Sequence, residues 1–352
     1  MKEKDKVKKI VIAVTALNAI DSPGPGISVI RAIRDCEDFE VKIIGLAYES
    51  LEPGIYMHDI LDKTYQIPYP SAGTDALLAR LHHINNIEHI DVLIPNFDAE
   101  LSNFIKISDE LGKIGINTFL PRLEEFEARD KVNLSKFGKK HDFPIPTDKV
   151  IFQVEELSKT AERFGFPLVV KGKYYDAIIC NSVEEANKAF YKLQAKWGLP
   201  IIIQKFIRGT EINVALLGDG KGNAISIIPM RKLYITEKGK AWAGITIEDP
   251  VLIDIAEKFI RATKWQGGCE LEIMMSSDAK PFIMEVNPRF PAWIYLSVAA
   301  GQNQPATLVK LALGQKVIPF KKYEVGKVFV RYSWDMIINL SEFQEISGRG
   351  EL

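Results

Sequence analysis

Residues 269–290 read CELEIMMSSDAKPFIMEVNPRF, and this stretch decides the fold. Two apolar runs flank a short polar turn at about 276–280, which predicts a β-hairpin. Each run carries acidic residues among large hydrophobic ones. Folding the hairpin about its turn brings Glu272 within about one residue of register with Glu285. The sequence therefore predicts two carboxylates on facing strands.

These carboxylates need a cation, because like charges at this distance repel. Residues two apart in a strand share a face, so Glu270 lies beside Glu272, and Asn287 beside Glu285. Oxygen ligands of this kind suit Mg²⁺ and the phosphates it carries. Arg289 follows on the face of Asn287 as a candidate phosphate-binding fork. Edge strands whose acids face water, or a calcium-only structural site, are the alternatives. The density of apolar neighbours disfavours the first, and the lack of loop oxygens disfavours the second.

The first 120 residues alternate short β-branched runs with helical patterns, which is typical of a parallel sheet. The runs are KIVIAVTA at 9–16, VKIIGLA at 41–47, DVLIP at 91–95 and INTF at 116–119. The loop SPGPGIS at 22–28 follows the first run. Its amides could bind an anion at a helix N-terminus, or its glycines could serve only the turn that the fold requires.

The middle of the chain predicts a different unit. Helical spacing from 121 ends at Pro144 and Pro146, and 150–205 reads strand, helix, strand, helix, strand. The second helix opens with Ser182 and Glu185 in capping-box spacing. From 200 onward, five strand-like runs in antiparallel order enclose one amphipathic helix at about 251–263, which predicts an α+β unit. These runs are PIIIQKF, EINVALL, AISIIPM, CELEIMM and PFIMEVN.

Four segments together resemble the ATP-grasp superfamily. They are MEVNPRF at 284–290, QKFIRGTEINV at 204–214, RDKVNLSKF at 129–137 and PLVVK at 167–171. The resemblance covers roughly residues 1–312 and is closest to the branch that contains biotin carboxylase and the large subunit of carbamoyl phosphate synthetase.

The resemblance implies a metal site and candidate catalytic residues. Glu272, Glu285 and Asn287 would bind Mg²⁺, with Mn²⁺ as a second candidate metal. The candidate catalytic residues are Arg289, Lys171 and Arg231. Arg289 would face the transferred phosphate. Arg231 lies in MRKLYITEKGKAWAG, which is similar to a basic segment beside the active site of the family. An exposed hairpin arginine is the alternative interpretation of Arg231.

The nucleotide-binding positions implied by the resemblance are Lys131, Lys171, Gln204, Lys205, Phe206, Ile207 and Glu211. The backbone of 205–207 would contact the adenine, and Glu211 would accept hydrogen bonds from the ribose hydroxyls. Lys131 and Lys171 would place positive charge against the phosphates. Glu211 could instead be a solvated residue at a strand start. Lys131 could share a solvated helix face with Lys136, Lys139 and Lys140.

One segment departs from the family pattern. Many relatives have a glycine-rich loop over the phosphates after the second lysine, whereas this chain reads GKYYDAIIC, with only Gly172. Side chains such as Lys173 and Tyr174 would then supply the contacts.

The expected fold is α/β and α+β, with an N-terminal parallel-sheet domain of the pre-ATP-grasp kind followed by a two-subdomain ATP-grasp fold. The predicted domains are 1–120 (Rossmann-like), 121–205 (small subdomain, the lid), 206–312 (large subdomain with the metal site) and 313–352 (a strand-bearing tail).

Composition favours a small molecule as the partner. Lysine plus arginine number 45 and aspartate plus glutamate 46, so no basic field predicts nucleic acid or a membrane surface as partner. The three cysteines stand far apart, which is typical of a reducing cytoplasm. The start MKEKDKVKK resembles a secretory signal, but its acidic residues weaken that interpretation.

The resemblance implies an ADP-forming ligase that uses ATP to convert a carboxylate into an acyl phosphate, which an amine or another nucleophile attacks. We expect small carboxylate and amine substrates, with amino acids as candidates, and a homodimer as the candidate assembly. Two rivals remain: a catalytically silent nucleotide-binding scaffold with the same fold, and a Rossmann oxidoreductase that uses the loop at 22–28.

Overall fold

The structure is a computed structural model of the chain. It describes residues 9–20, 22–174, 176–333 and 335–352. The first eight residues, on which the expectation about a secretory signal partly rests, lie outside the described residues, as does Tyr175 of the GKYYDAIIC segment. Within the described ranges, no helix combines the length and the apolar character needed to cross a membrane.

Strands and helices alternate in the first part of the chain, and strands dominate later. The strands are β1 (Lys9–Val14), β2 (Glu40–Ala47), β3 (Lys63–Gln66), β4 (Val92–Ile94), β5 (Asp148–Ile151), β6 (Leu168–Lys171), β7 (Ala177–Cys180), β8 (Ile201–Lys205), β9 (Gly209–Asp219), β10 (Ala224–Ile235), β11 (Ala241–Thr246), β12 (Gln266–Ser276), β13 (Pro281–Asn287) and β14 (Val328–Val330). The helices are α1 (Pro25–Arg34), α2 (Thr74–Glu88), α3 (Asp98–Lys106), α4 (Ser108–Lys113), α5 (Leu123–Ala128), α6 (Leu134–His141), α7 (Glu155–Phe164), α8 (Val183–Trp197), α9 (Pro250–Thr263), α10 (Tyr295–Ala299), α11 (Gln304–Ala312) and α12 (Leu340–Arg349).

The chain forms two compact units. The larger unit contains the residues up to Leu123, Asn213–Glu270 and Asn287–Leu352, and the smaller contains Glu124–Ile212 and Leu271–Val286. The predicted boundaries at 120, 205 and 312 divide the chain into continuous domains, whereas the two units are made of discontinuous segments. These boundaries stay a prediction.

The larger unit begins with a parallel sheet in the order β3-β2-β1-β4. The alternating pattern predicts a parallel sheet, but it did not reveal β3. β1 is buried along most of its length, because helices cover both faces of a parallel sheet. The predicted strand INTF is wrong as an element: its only pairing among the described residues is an isolated parallel bridge between Val92 and Asn117. The switch in strand order lies between β1 and β4, where ligands of open α/β sheets usually bind.

A six-stranded sheet follows in the order β13-β12-β9-β10-β11-β14. Its predicted hairpin is confirmed, since Ser276 N donates to Lys280 O at 2.9 Å in the turn that joins β12 to β13. The predicted helix near 251–263 is also confirmed as α9, which Asp249 caps through its side chain. The pattern did not reveal β11. It pairs antiparallel with β14, which lies in the tail that the sequence predicts to bear strands.

The smaller unit contains an antiparallel sheet in the order β5-β8-β6-β7. α7 and α8 pack on it, with Phe190 and Leu193 fully enclosed in its core. The predicted cap of α8 is confirmed, because Glu185 N donates to Ser182 Oγ at 3.2 Å. β7 is an additional strand that the sequence pattern did not predict.

The last residues of the chain extend the parallel sheet of the larger unit. Leu352 N donates to Thr64 O at 2.9 Å, and Thr64 N donates to Leu352 O at 2.8 Å. The side chain of Ile346 on α12 is fully buried. The tail therefore covers the open edge of β3, and edges of this kind would otherwise expose unpaired main-chain groups.

Candidate functional site

Two lysines and one glutamate of the smaller unit form a charged cluster. Lys131 Nζ lies 3.3 Å from Glu285 Oε2, and the side chains of both residues are largely shielded from solvent. Lys171 ends the buried strand β6, and the charge of Glu285 acts on it. The structure therefore brings together three residues that the sequence predicts to contact phosphates or metal.

Burial shapes the titration of Lys171. It lowers the pKa of this ammonium group to about 8, and the positive charge of Lys131 acts in the same direction. Glu285, Glu272 and Asp148 raise the pKa, but by less. Strongly perturbed pKa values of this kind are common at functional sites.

Lys131 lies apart from the solvated lysines to which it could have belonged. Lys136, Lys139 and Lys140 are on α6 and are exposed, whereas Lys131 precedes this helix and its side chain is 18% exposed. The geometry therefore favours an interior partner for Lys131 over a solvated helix face.

Asp148 is a neighbour that the sequence analysis missed. It begins β5 and pairs in register with Gln204 on β8. Burial raises the pKa of its carboxyl, while a hydrogen bond from Ser135 and the charge of Lys171 lower it. The only sequence signal was an acid at the start of a short strand, which rarely distinguishes a site residue from a solvated one.

The predicted adenine-binding segment leaves β8 after a buried glutamine. Gln204 is 2% exposed, and within the described chain its Oε1 atom accepts no hydrogen bond. Lys205 N donates to Thr147 O at 2.8 Å, so this amide is already engaged, while the side chain of Lys205 is exposed. Phe206 and Ile207 lie half-buried between β8 and β9.

Glu211 lies near the start of β9 and is half-buried, which differs from the fully solvated position considered as an alternative. The short segment that replaces a glycine-rich loop is held at its ends, since Gly172 N donates to Asp176 O at 3.1 Å. Lys173 lies 5.0 Å from the ring centre of Tyr174, in a cation–π contact.

In the larger unit, Asn287 belongs to a buried polar cluster around Glu270. Asn287 Nδ2 donates to Glu270 Oε2 at 3.0 Å. Asn213 Nδ2 and Trp293 Nε1 donate to Glu270 Oε1 at 2.6 and 2.7 Å. The sequence placed Glu270 beside Glu272 but could not reveal these partners.

The two predicted arginines of the larger unit differ in their surroundings. Arg289 forms an ion pair with Asp98, in which both Nε and Nη2 lie 2.9 Å from Asp98 Oδ2. Its Nη1 atom donates to Phe290 O. It lines a small cavity together with Asn96 at the end of β4. Arg231 on β10 is exposed and lies opposite Ile245 of β11.

The glycine loop at 22–28 serves the turn, as its second interpretation predicts. Gly24 N donates to Asn18 O at 2.7 Å, and Gly26 N donates to Ala16 O at 3.1 Å, so these amides are already bonded. A Cβ on Gly26 would lie 2.1 Å from Thr15 O. The glycines therefore permit the close approach of α1 to the end of β1, which accounts for the motif without an anion.

The described residues contain no group of three or more His, Cys, Asp or Glu side chains that could hold a metal ion. The predicted set differs in kind, because it joins the carboxylates of Glu272 and Glu285 to the amide of Asn287. Its assignment as a metal site stays a prediction.

The parallel sheet, the antiparallel four-stranded sheet and the six-stranded sheet with its acidic hairpin form the mixed α/β architecture that the sequence predicts. The chain resembles ATP-grasp proteins, as expected. Within it, residues 199–331 match the family described as "ATP-grasp in the biosynthetic pathway with Ter operon".

Solved structures with similar folds include three distant relatives. The biotin carboxylase domain dimer of the Hydrogenobacter thermophilus 2-oxoglutarate carboxylase, with Mg-ADP, ADP and bicarbonate, is 16% identical, with a TM-score of 0.71 over 90% of this chain and 73% of that chain. The biotin carboxylase of Campylobacter jejuni is 16% identical, with a TM-score of 0.70 over 92% and 74%. The N5-carboxyaminoimidazole synthetase of Staphylococcus aureus is 14% identical, with a TM-score of 0.67 over 91% and 80%.

Proposed function

We propose that the chain is an ATP-dependent ligase that activates a carboxylate as an acyl phosphate and joins it to an amine or another nucleophile, releasing ADP and phosphate. The observation that carries this proposal is the cluster of Lys131 and Lys171 around Glu285. Two cations and adjacent carboxylates in a half-buried setting fit a site for polyphosphate and metal.

The residues fit Mg²⁺ by their donor chemistry. Glu272, Glu285 and Asn287 offer hard oxygen atoms, which Mg²⁺ prefers over nitrogen or sulfur. Bound magnesium would neutralise charge on the phosphates. Lys131 and Lys171 would hold phosphate oxygens in place, Arg289 would face the transferred phosphate, and Arg231 would contact phosphate or substrate.

The predicted adenine-binding segment at 204–211 fits an adenine. Gln204 Oε1 is a buried acceptor without a donor among the described residues, and an exocyclic amino group would satisfy it. The main chain of 205–207, apart from the Lys205 amide that donates to Thr147 O, would contact the edge of the base, and Glu211 would accept hydrogen bonds from the ribose hydroxyls.

The similar structures support the substrate class. One was solved with Mg-ADP and bicarbonate, and another is named as an N5-carboxyaminoimidazole synthetase. For this chain we infer a small carboxylate and an amine, with amino acids as candidates, and a homodimeric enzyme of the cytoplasm. The three cysteines are free thiols, as a reducing compartment would keep them.

A phosphate-release assay tests the proposal. Purified protein is incubated with ATP and Mg²⁺ across a matrix of amino acids, small acids and amines, and release that depends on one acid and one amine is expected. Glu285→Ala should abolish this release, and Lys131→Met should reduce it strongly. Lys140→Met, which alters an exposed lysine of α6, serves as the matched control and should retain it.

Three results would contradict the proposal. Unchanged turnover in Glu285→Ala would exclude the metal assignment. ATP binding without phosphate release under any combination would favour the scaffold, and tight NAD binding without any effect of Mg-ATP would favour an oxidoreductase.

A further inference from the structure

Glu270 is a buried carboxylate that accepts hydrogen bonds from side chains on β9 and on the segment around the end of β13. It is 4% exposed, and it contacts Asn213 on β9, Asn287 at the end of β13 and Trp293 beyond it. Burial lowers the pKa of Arg331, and the negative charge of Glu270 raises it, so this guanidinium partly balances the carboxylate. A buried charge with this many partners is held in one orientation.

The contact with Asn287 fixes the direction of its amide. An ionised carboxylate can only accept hydrogen bonds, so the group that faces Glu270 must be the Nδ2 donor of Asn287. The observed distance of 3.0 Å from Nδ2 to Oε2 agrees with this requirement. Because the amide is planar, Oδ1 of Asn287 then points away from Glu270.

We propose that Glu270 is a positioning residue, which orients Asn287 so that its Oδ1 atom is presented as a metal ligand. This inference rests on the proposed function, in which Asn287 binds Mg²⁺. Glu270 acts through Asn287, because its two oxygens accept hydrogen bonds from Asn213, Asn287 and Trp293. Asn213 and Trp293 hold the other oxygen of Glu270 and thereby fix the plane of the carboxylate.

The variant Glu270→Gln tests the idea by reversing the hydrogen bond. Its Oε1 can still accept from Asn213 and Trp293, so its Nε2 faces Asn287 and needs an acceptor there. Asn287 must turn its Oδ1 towards the new amide and its Nδ2 towards the metal position. We expect the affinity for Mn²⁺, measured by electron paramagnetic resonance in the presence of ADP, to fall by roughly 10- to 100-fold.

A second substitution should restore binding. In Glu270→Gln with Asn287→Asp, the aspartate accepts from Gln through one oxygen and presents the other to the metal. Asn287→Asp alone places two carboxylates against each other and should weaken Mn²⁺ binding. Ser226→Ala, which removes a buried hydrogen bond to Gln302 elsewhere in the larger unit, is the structural control and should bind Mn²⁺ as the wild type does.

The outcomes separate this inference from the proposed function. If the wild type binds no Mn²⁺ with ADP, the metal site itself is wrong. If the wild type binds and Glu270→Gln binds equally well, only the positioning role is overturned. A loss in Ser226→Ala as large as that in Glu270→Gln, or no recovery in the double variant, would also overturn it. Circular dichroism spectra of all variants verify that they are folded.

Discussion

Glu100 should give the stability of this protein a distinct dependence on pH. Its side chain is 1% exposed at the start of α3, close to the strand switch between β1 and β4. Thr15 Oγ1 and the Tyr48 hydroxyl donate hydrogen bonds to its carboxylate. The backbone amides of Asn96 and Phe97 also donate to it, each at 2.9 Å. The perturbation is Glu100→Gln, which retains the shape and can keep the bonds to Oε1.

The magnitude follows from the pKa of this carboxyl. Burial raises it from 4.5 to about 7, although the four hydrogen bonds oppose the shift. Between these values the folded state binds more protons than the unfolded state, so the free energy of unfolding falls as the pH rises. At ~1.36 kcal/mol for each unit of pKa, the total loss is about 3 kcal/mol, which is complete above about pH 7. Below about pH 4.5 this loss is absent, because both states are protonated.

The assay is urea unfolding of the wild type and of Glu100→Gln at several pH values from about 4.5 to 8. Since the glutamine does not titrate, the free energy of unfolding of the wild type minus that of the variant should decrease by about 3 kcal/mol across this range. Hydrogen exchange of β1 and of 92–105 assigns the transition to the parallel sheet. Glu40→Gln alters an exposed carboxyl and is the control. A difference between wild type and Glu100→Gln that stays constant with pH would refute the reasoning.

Three further predictions concern other parts of the chain. Because the pKa of Lys171 is about 8, the apparent Kd for ATP should rise by roughly tenfold near pH 9, and Lys171→Arg should abolish this rise. Isothermal titration calorimetry measures the Kd of both proteins. Equal pH profiles of the wild type and the variant would contradict the prediction. Gly26→Ala should destabilise the protein by about 1–3 kcal/mol in urea unfolding, because the added Cβ would meet the backbone oxygen of Thr15. Gly112→Ala is the control. It has open space around its Cβ and should be neutral or slightly stabilising. Ser182→Ala should cost about 1 kcal/mol by loss of the α8 cap, seen as a lower urea midpoint, and an unchanged midpoint would exclude that role.

The sequence predicted those parts of the fold whose signals are local. The hairpin of β12 and β13 and the cap at Ser182 depend on residues within a few positions of one another. β7 gave no such signal although its partner β6 lies next to it in the chain, because β7 is short and largely exposed. β14 is equally short and exposed and its partner β11 is distant in the sequence, so only a strand somewhere in the tail could be predicted. INTF has the composition of a strand, yet it adds only one bridge to β4, since composition does not determine whether a sheet has room for another strand.

In the candidate site, too, residues with a local sequence signal could be predicted and residues that meet only in the fold could not. Lys171 ends an apolar strand, and Glu285 lies in a recognisable motif, so both could be predicted. Asp148 and the donors around Glu270 come from distant segments, and their approach is a property of the fold alone. The loop at 22–28 shows the converse, because no local pattern reveals that the amides of Gly24 and Gly26 are bonded to main-chain oxygens.

The energetics of Lys171 link the fold to the proposed chemistry. Its lowered pKa means that burial, together with the charge of Lys131, disfavours the ammonium form by more than Glu285, Glu272 and Asp148 favour it. The carboxylates therefore leave the cluster short of negative charge around this lysine. A polyphosphate would supply that charge, and its binding should raise the pKa of Lys171 and take up protons near pH 8. A lysine selected only for stability would gain little from this burial, whereas a phosphate ligand would benefit from a cation already held in place.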